Sequence, residues 1–220
     1  MSENEQMDVV IPAGRVRLQG ILSLPQKPCG VVVFAHGSGS GRFSPRNSFV
    51  ARILQEARVA TLLTDLLEEE ESMDRQKIFN IDLLADRLLV GAHWLRGQSE
   101  PRDLPLGYFG ASTGAAAALQ AAGREKSGLT AIVSRGGRPD LAMNYLSVVE
   151  APTLLIVGGE DKVVISLNKK AYSHLRYPKE MVVVPGATHL FEEPGALDRV
   201  AELARDWFVK YFLPWQEEKT

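Results

Sequence analysis

Three short segments of the chain carry residues whose types and spacing suit nucleophilic attack on a carbonyl. The first is Gly110-Ala111-Ser112-Thr113-Gly114, a serine with a glycine two residues to either side. It follows a strand-like run, Leu106 to Gly110, and precedes the small-residue run Ala115 to Ala118, which reads as helix. A strand that enters a helix through so tight a turn holds the serine in a strained conformation and lifts its hydroxyl off the sheet. The glycines are needed because strand and helix pass too close for a Cβ. The helix N-terminus also turns backbone N–H groups toward any oxyanion formed at the serine. Without chemistry, the same residues would be an ordinary βα turn with Ser112 as helix N-cap.

A serine hydroxyl needs a base, and the base needs an orienting partner. Of the four histidines, His93 falls inside a helical pattern and His174 near a helix end. His36 directly follows a strand, where it pins a loop. His189, in Pro185-Gly186-Ala187-Thr188-His189-Leu190-Phe191, follows the last strand and is free to reach across the sheet edge. The strand Thr153 to Val157 ends in Gly158-Gly159-Glu160-Asp161. Asp161 is the expected acid and Glu160 the fallback, although Gly and Asp also suit a plain turn. In this reading His189 takes the Ser112 proton, Asp161 fixes the imidazole tautomer, and an acyl-enzyme forms that water releases. The oxyanion needs two backbone donors. One is expected at Thr113. The other is expected in the loop His36-Gly37-Ser38-Gly39-Ser40-Gly41, with Ser38 favoured and Gly39 next.

The scaffold that must hold these loops is written in short β-branched runs alternating with longer helical patterns. A hairpin is expected over Val9 to Leu24, and further strands at Gly30 to Ala35, Val59 to Thr64, Leu106 to Gly110, Leu129 to Ser134, Thr153 to Val157 and Met181 to Val184. Helices are expected over Arg46 to Ala57, Gln76 to Leu95, Thr113 to Ala122, Ser166 to Leu175 and Leu197 to Tyr211. Such alternation implies an α/β fold, a mostly parallel sheet with helices on both faces. Right-handed connections then gather the βα loops along one edge, where ligands bind. The expected organisation is one domain, residues 1–220, with no cap. Only about eighteen residues separate Ser134 from Thr153, enough for a loop and one short helix. The site is therefore expected to be a shallow groove that favours short or compact acyl groups.

Taken together, His-Gly-Ser-Gly at 36 to 39, the turn at Ser112, Gly-Gly-x-Asp ending at Asp161 and Gly-Ala-Thr-His ending at His189 resemble the α/β-hydrolase superfamily. More narrowly, they are similar to its small dienelactone-hydrolase-like branch. The order serine, acid, histidine is the one expected of that superfamily. The resemblance implies hydrolysis of a small carboxylic ester, thioester or lactone. Dienelactone hydrolases proper carry a cysteine at the turn, whereas this chain carries Ser112, so the resemblance is to the branch and not to its namesake activity. Two alternatives stay open: a catalytically silent binding module on the same fold, and lyase or perhydrolase chemistry.

Other features narrow the setting. Asp65 and the run Glu68 to Glu71 follow a strand and are expected to form a solvated loop. Arg135 and Arg138 also follow a strand, where they could bind a carboxylate or phosphate of the substrate. No phosphate-binding P-loop and no dinucleotide fingerprint occurs, so neither cofactor nor metal is expected. Lys plus Arg number 25 against 27 for Asp plus Glu, a net charge of -2. That balance leaves no footprint for nucleic acid or an anionic membrane. The expected partner is a small-molecule substrate, and a homodimer is compatible with the reading. One cysteine, Cys29, excludes an internal disulfide. The acidic start lacks the features of a signal peptide, and the expected location is the cytoplasm.

Overall fold

The computed structural model describes residues 5–125 and 128–217, with the side chains of the last helix described through Leu213. The strands are β1 (Glu5–Ala13), β2 (Val16–Leu24), β3 (Gly30–Ala35), β4 (Val59–Thr64), β5 (Leu106–Ala111), β6 (Leu129–Arg135), β7 (Thr153–Gly158) and β8 (Lys179–Val184). They form one sheet in the order β1-β2-β4-β3-β5-β6-β7-β8. The β1–β2 hairpin pairs antiparallel with β4, and every pairing from β4 onward is parallel. Parallel strands require crossovers. These run through α1 (Pro45–Glu56), α2 (Arg75–Ile78), α3 (Ile81–Arg96), α4 (Thr113–Arg124), α5 (Met143–Leu146) and α6 (Lys162–His174), while α7 (Ala196–Glu217) follows the last strand.

Side-chain alternation divides the core between the two faces. On β3, Val32 and Phe34 pack under α1 and α7 with Phe109, Val133, Ile156 and Phe208. Val31 and Val33 turn the other way, toward Leu84, Leu88 and Leu95 of α3. Beside them, Ile132 and Leu155 meet α4, α5 and α6. All six residues of β3 are buried, which is why the run carries no polar alternation. Each such side chain contributes about 1.5–3 kcal/mol by leaving water. The parallel strands therefore stack all their C-terminal ends along one edge.

Two expectations about the elements need correction. The helix read over Gln76 to Leu95 is interrupted at Phe79, and Asn80 starts α3 by accepting the Leu83 N–H at 3.0 Å. The hydrophobic period continues through the break, but the Asn side chain competes with the helix for backbone donors and becomes a cap. The run Glu68 to Glu71 is also not all solvated. Glu71 is buried and pairs with Lys77 at 3.3 Å and Arg87 at 3.4 Å. Between β6 and β7 lie only a 3₁₀ turn, Pro139–Ala142, and the single turn of α5, so no cap covers the edge there.

Candidate active site

Ser112 stands between β5 and α4 with φ 51° and ψ -120°. An N-cap serine has extended backbone and accepts an N–H of the first turn. Ser112 does neither, and its side chain makes no capping bond. The strain is held in place by backbone alone. The Ser112 N–H donates to the Arg135 carbonyl at 3.3 Å, and its own carbonyl accepts from Ala115 at 3.1 Å and Arg138 at 3.1 Å. A Cβ added to Gly114 would lie 2.1 Å from the Ala35 carbonyl oxygen, so only glycine lets α4 start this close to β3. The Ser112 hydroxyl is partly exposed and bonds to no other described residue, His189 included.

The base and the acid meet across the edge. His189 Nδ1 lies 2.7 Å from Asp161 Oδ2. Asp161 is mostly buried, at 15% side-chain exposure, while His189 is at 41%. The carboxylate has a second task as N-cap of α6, where Oδ1 accepts the Val164 N–H at 3.4 Å. Glu160, the fallback acid, is exposed and lies 3.6 Å from Lys162. Gly136, at φ 51°, brings the serine and histidine loops together. It follows Arg135, which binds the Ser112 N–H, and a Cβ on it would stand 3.2 Å from the His189 carbonyl oxygen. Serine hydroxyl and imidazole thus share one rim without a bond between them, a looseness common before substrate binds.

The glycine-rich loop after β3 is pinned from several sides. His36 is buried; its Nε2 accepts the Leu66 N–H at 3.0 Å, and Nδ1 donates to the Gly37 carbonyl at 2.9 Å. Burial holds its pKa below the ordinary histidine value, and both nitrogens are spent on structure. Asp65, expected in a solvated loop, instead accepts the Arg42 N–H at 2.7 Å and pairs with the Arg42 guanidinium. The Ser38 N–H, the favoured second oxyanion donor, donates to Thr113 Oγ1 at 3.1 Å. The Gly39 N–H bonds to no described residue, and Gly39 is exposed.

A cleft of about 710 Å³ opens beside this loop. Arg17, Gln19, Ser38, Asp65, Glu68 and Glu70 are among its walls. Its walls are largely polar, and Ser112, Asp161 and His189 are not among them. The structure separates the two arginines read as substrate contacts, and neither lines the cleft. Arg138 is bonded through Nε and Nη2 to Asp140, at 2.8 and 2.9 Å. Arg135 turns into the α1 side of the sheet and is only 8% exposed. Its Nη2 donates to Asn47 Oδ1 at 3.4 Å, while Nε and Nη1 are buried and unpaired among the described residues. Burial first, and then the charge of Arg46, push its pKa down to about 10. What the sequence did not reveal is that the backbone of residues 135–138 clamps the strained serine.

A doubly covered parallel sheet with a strained serine at its C-terminal edge defines an α/β-hydrolase fold. No family model matches the chain. Among solved structures, it is similar to a dienelactone hydrolase from Anabaena variabilis: TM-score 0.92 and 51% identity, covering 94% of this chain and 98% of that one. Est1E from Butyrivibrio proteoclasticus shares the fold at TM-score 0.82 and 14% identity, covering 94% of this chain and 99% of that one. This chain belongs to the dienelactone hydrolase family of α/β-hydrolases. A Mycobacterium tuberculosis protein bearing the name phosphoribosyl transferase is 55% identical over 204 residues, 93% of this chain. The chain spans 46% of that relative, about half the length of the curated proteins it matches.

Proposed function

We propose that the chain is a serine hydrolase that cleaves a small carboxylic ester, thioester or lactone through an acyl-enzyme on Ser112. The observation that carries this reading is the backbone of Ser112 at φ 51°. Holding a non-glycine residue there costs about 1–3 kcal/mol, and a plain helix cap gives no return on that cost. His189 would act as general base and then acid, and Asp161 would fix the tautomer in which Nδ1 carries the proton. The cleft beside the glycine-rich loop is polar, and a substrate that extended into it from Ser112 would be compact and hydrogen-bonding, because a long acyl chain gains about 0.8 kcal/mol per methylene only where apolar walls receive it. The lone cysteine and the near-neutral charge favour a small soluble substrate in the cytoplasm. We leave phosphoribosyl transfer to the longer relatives that carry that name, since the elbow offers acyl chemistry.

The test is a series of p-nitrophenyl esters from acetyl through palmitoyl, run on the wild type and on Ser112→Ala. The expected result is turnover highest for the short acyl groups and lost in the variant. A steady rise in kcat/KM toward palmitoyl would contradict the substrate reading.

A further inference from the structure

We infer that the side-chain hydroxyl of Thr113, and not its backbone N–H alone, donates a hydrogen bond to the oxyanion. The inference rests on Ser112 being the nucleophile. It starts from the bond in which Ser38 donates its N–H to Thr113 Oγ1 at 3.1 Å. A hydroxyl has one proton and two acceptor lone pairs. Ser38 fills a lone pair, and Thr113 Oγ1 donates to no described residue, so its proton is unspent. Thr113 is 4% exposed, and a buried O–H without an acceptor is costly. The acceptor that chemistry would bring is the oxyanion itself.

Position supports this. Thr113 is the first residue of α4, so its N–H is one of the first-turn donors that have no partner within the helix. An oxygen seated about 3 Å from that N–H lies within reach of Oγ1 of the same residue, two bonds beyond its Cα. The β-branched side chain has few χ1 choices, so the hydroxyl is held rather than searching. Its bond from Ser38 also polarises it, because an O–H that accepts one hydrogen bond donates a stronger second one. The relay runs from Ser38 N–H to Thr113 Oγ1–H to the oxyanion. Ser38 then contributes through the threonine.

The step balances without moving a proton from Thr113. As Ser112 Oγ bonds to the carbonyl carbon, the C=O π pair moves onto oxygen, and the Ser112 proton goes to His189. The oxyanion accepts hydrogen bonds from the Thr113 N–H and Oγ1–H, and collapse of the intermediate expels the leaving group.

Thr113→Val keeps the shape and the backbone donor but removes the hydroxyl. The expected result is a kcat for p-nitrophenyl acetate lower by about 10²-fold, with KM within threefold and the rate recovered in Thr113→Ser. The Ki of a trifluoromethyl ketone, which forms a tetrahedral oxyanion, should rise by the same factor as kcat/KM falls. Thr113→Ala, which adds no atoms, serves if the valine variant does not fold. Val or Ala variants that are as fast as wild type, or faster, would overturn the inference and mean that the hydroxyl only covers the Ser38 N–H. If Ser112→Ala keeps its turnover, the nucleophile assignment fails instead, so the two failures are distinguishable.

Discussion

Gly114 is where a single methyl group tests how the elbow is seated. A Cβ there would lie 2.1 Å from the Ala35 carbonyl oxygen and 2.5 Å from that of His36. Both obstacles are backbone, at the end of β3 and the start of the glycine-rich loop, so no side chain can swing aside. Gly114→Ala must therefore push α4 and β3 apart by about 1 Å, in a core packed as densely as a crystal. Overpacking of this kind costs about 3 kcal/mol at the upper end of its range. In a chain of this size, that is a fall in Tm of roughly 6–12 °C. Activity should suffer more, because a 1 Å misplacement of reacting groups costs about 10²-fold, and here the serine and the Ser38 loop move against each other. Thermal unfolding by circular dichroism and kcat/KM for p-nitrophenyl acetate measure the two effects. A variant within 2 °C and threefold of wild type would refute the close approach, and with it the reason that glycine is needed two residues after the serine.

Three further outcomes follow from the same geometry. Asp161→Asn should lose about 10³–10⁴-fold in kcat through the wrong tautomer while keeping its stability, because Asn caps α6 as well as Asp does; Glu160→Gln should be silent, and the reverse pattern would move the acid by one residue. His36 is held neutral by burial. Below about pH 6.5 the unfolded chain takes up a proton that the folded chain refuses, so its contribution is full above that pH and is lost as the pH falls. Tm should decline from pH 6.5 to 5.5 in wild type and less steeply in His36→Gln, and equal slopes would speak against it. Cys29 is 2% exposed, its thiol pKa is raised by burial and its Sγ faces the Ala57 carbonyl, so Cys29→Ser should leave ester turnover unchanged; inactivation by iodoacetamide would point to a cysteine mechanism.

How much of this was legible in the sequence differs by level. Buried parallel strands announce themselves as unbroken apolar runs, and β3, β4, β5, β6 and β7 all lie within a residue of where Gly30, Val59, Leu106, Leu129 and Thr153 place their starts. The pairing of His189 with Asp161 was legible because each follows a strand that ends on the same edge. Less visible were features that depend on three-dimensional approach. Nothing in the spacing of Ser38 and Thr113 says that one would bond to the other across 75 positions. Arginine after a strand suggests a ligand contact, yet Arg135 faces inward, because the pleat that sends Ala131 and Val133 to the α1 side sends it there too. Glu71 reads as one of four solvated acids until Arg87 of α3 is brought beside it.

The central claim is that Ser112 attacks the substrate, and an activity-based fluorophosphonate tests it most directly. The probe should label wild-type protein once, and peptide mass mapping should place the adduct on Ser112. His189→Ala should slow labelling by orders of magnitude, since no base would remain to take the proton. An adduct on another residue, or labelling that persists at full rate in Ser112→Ala, would contradict the account.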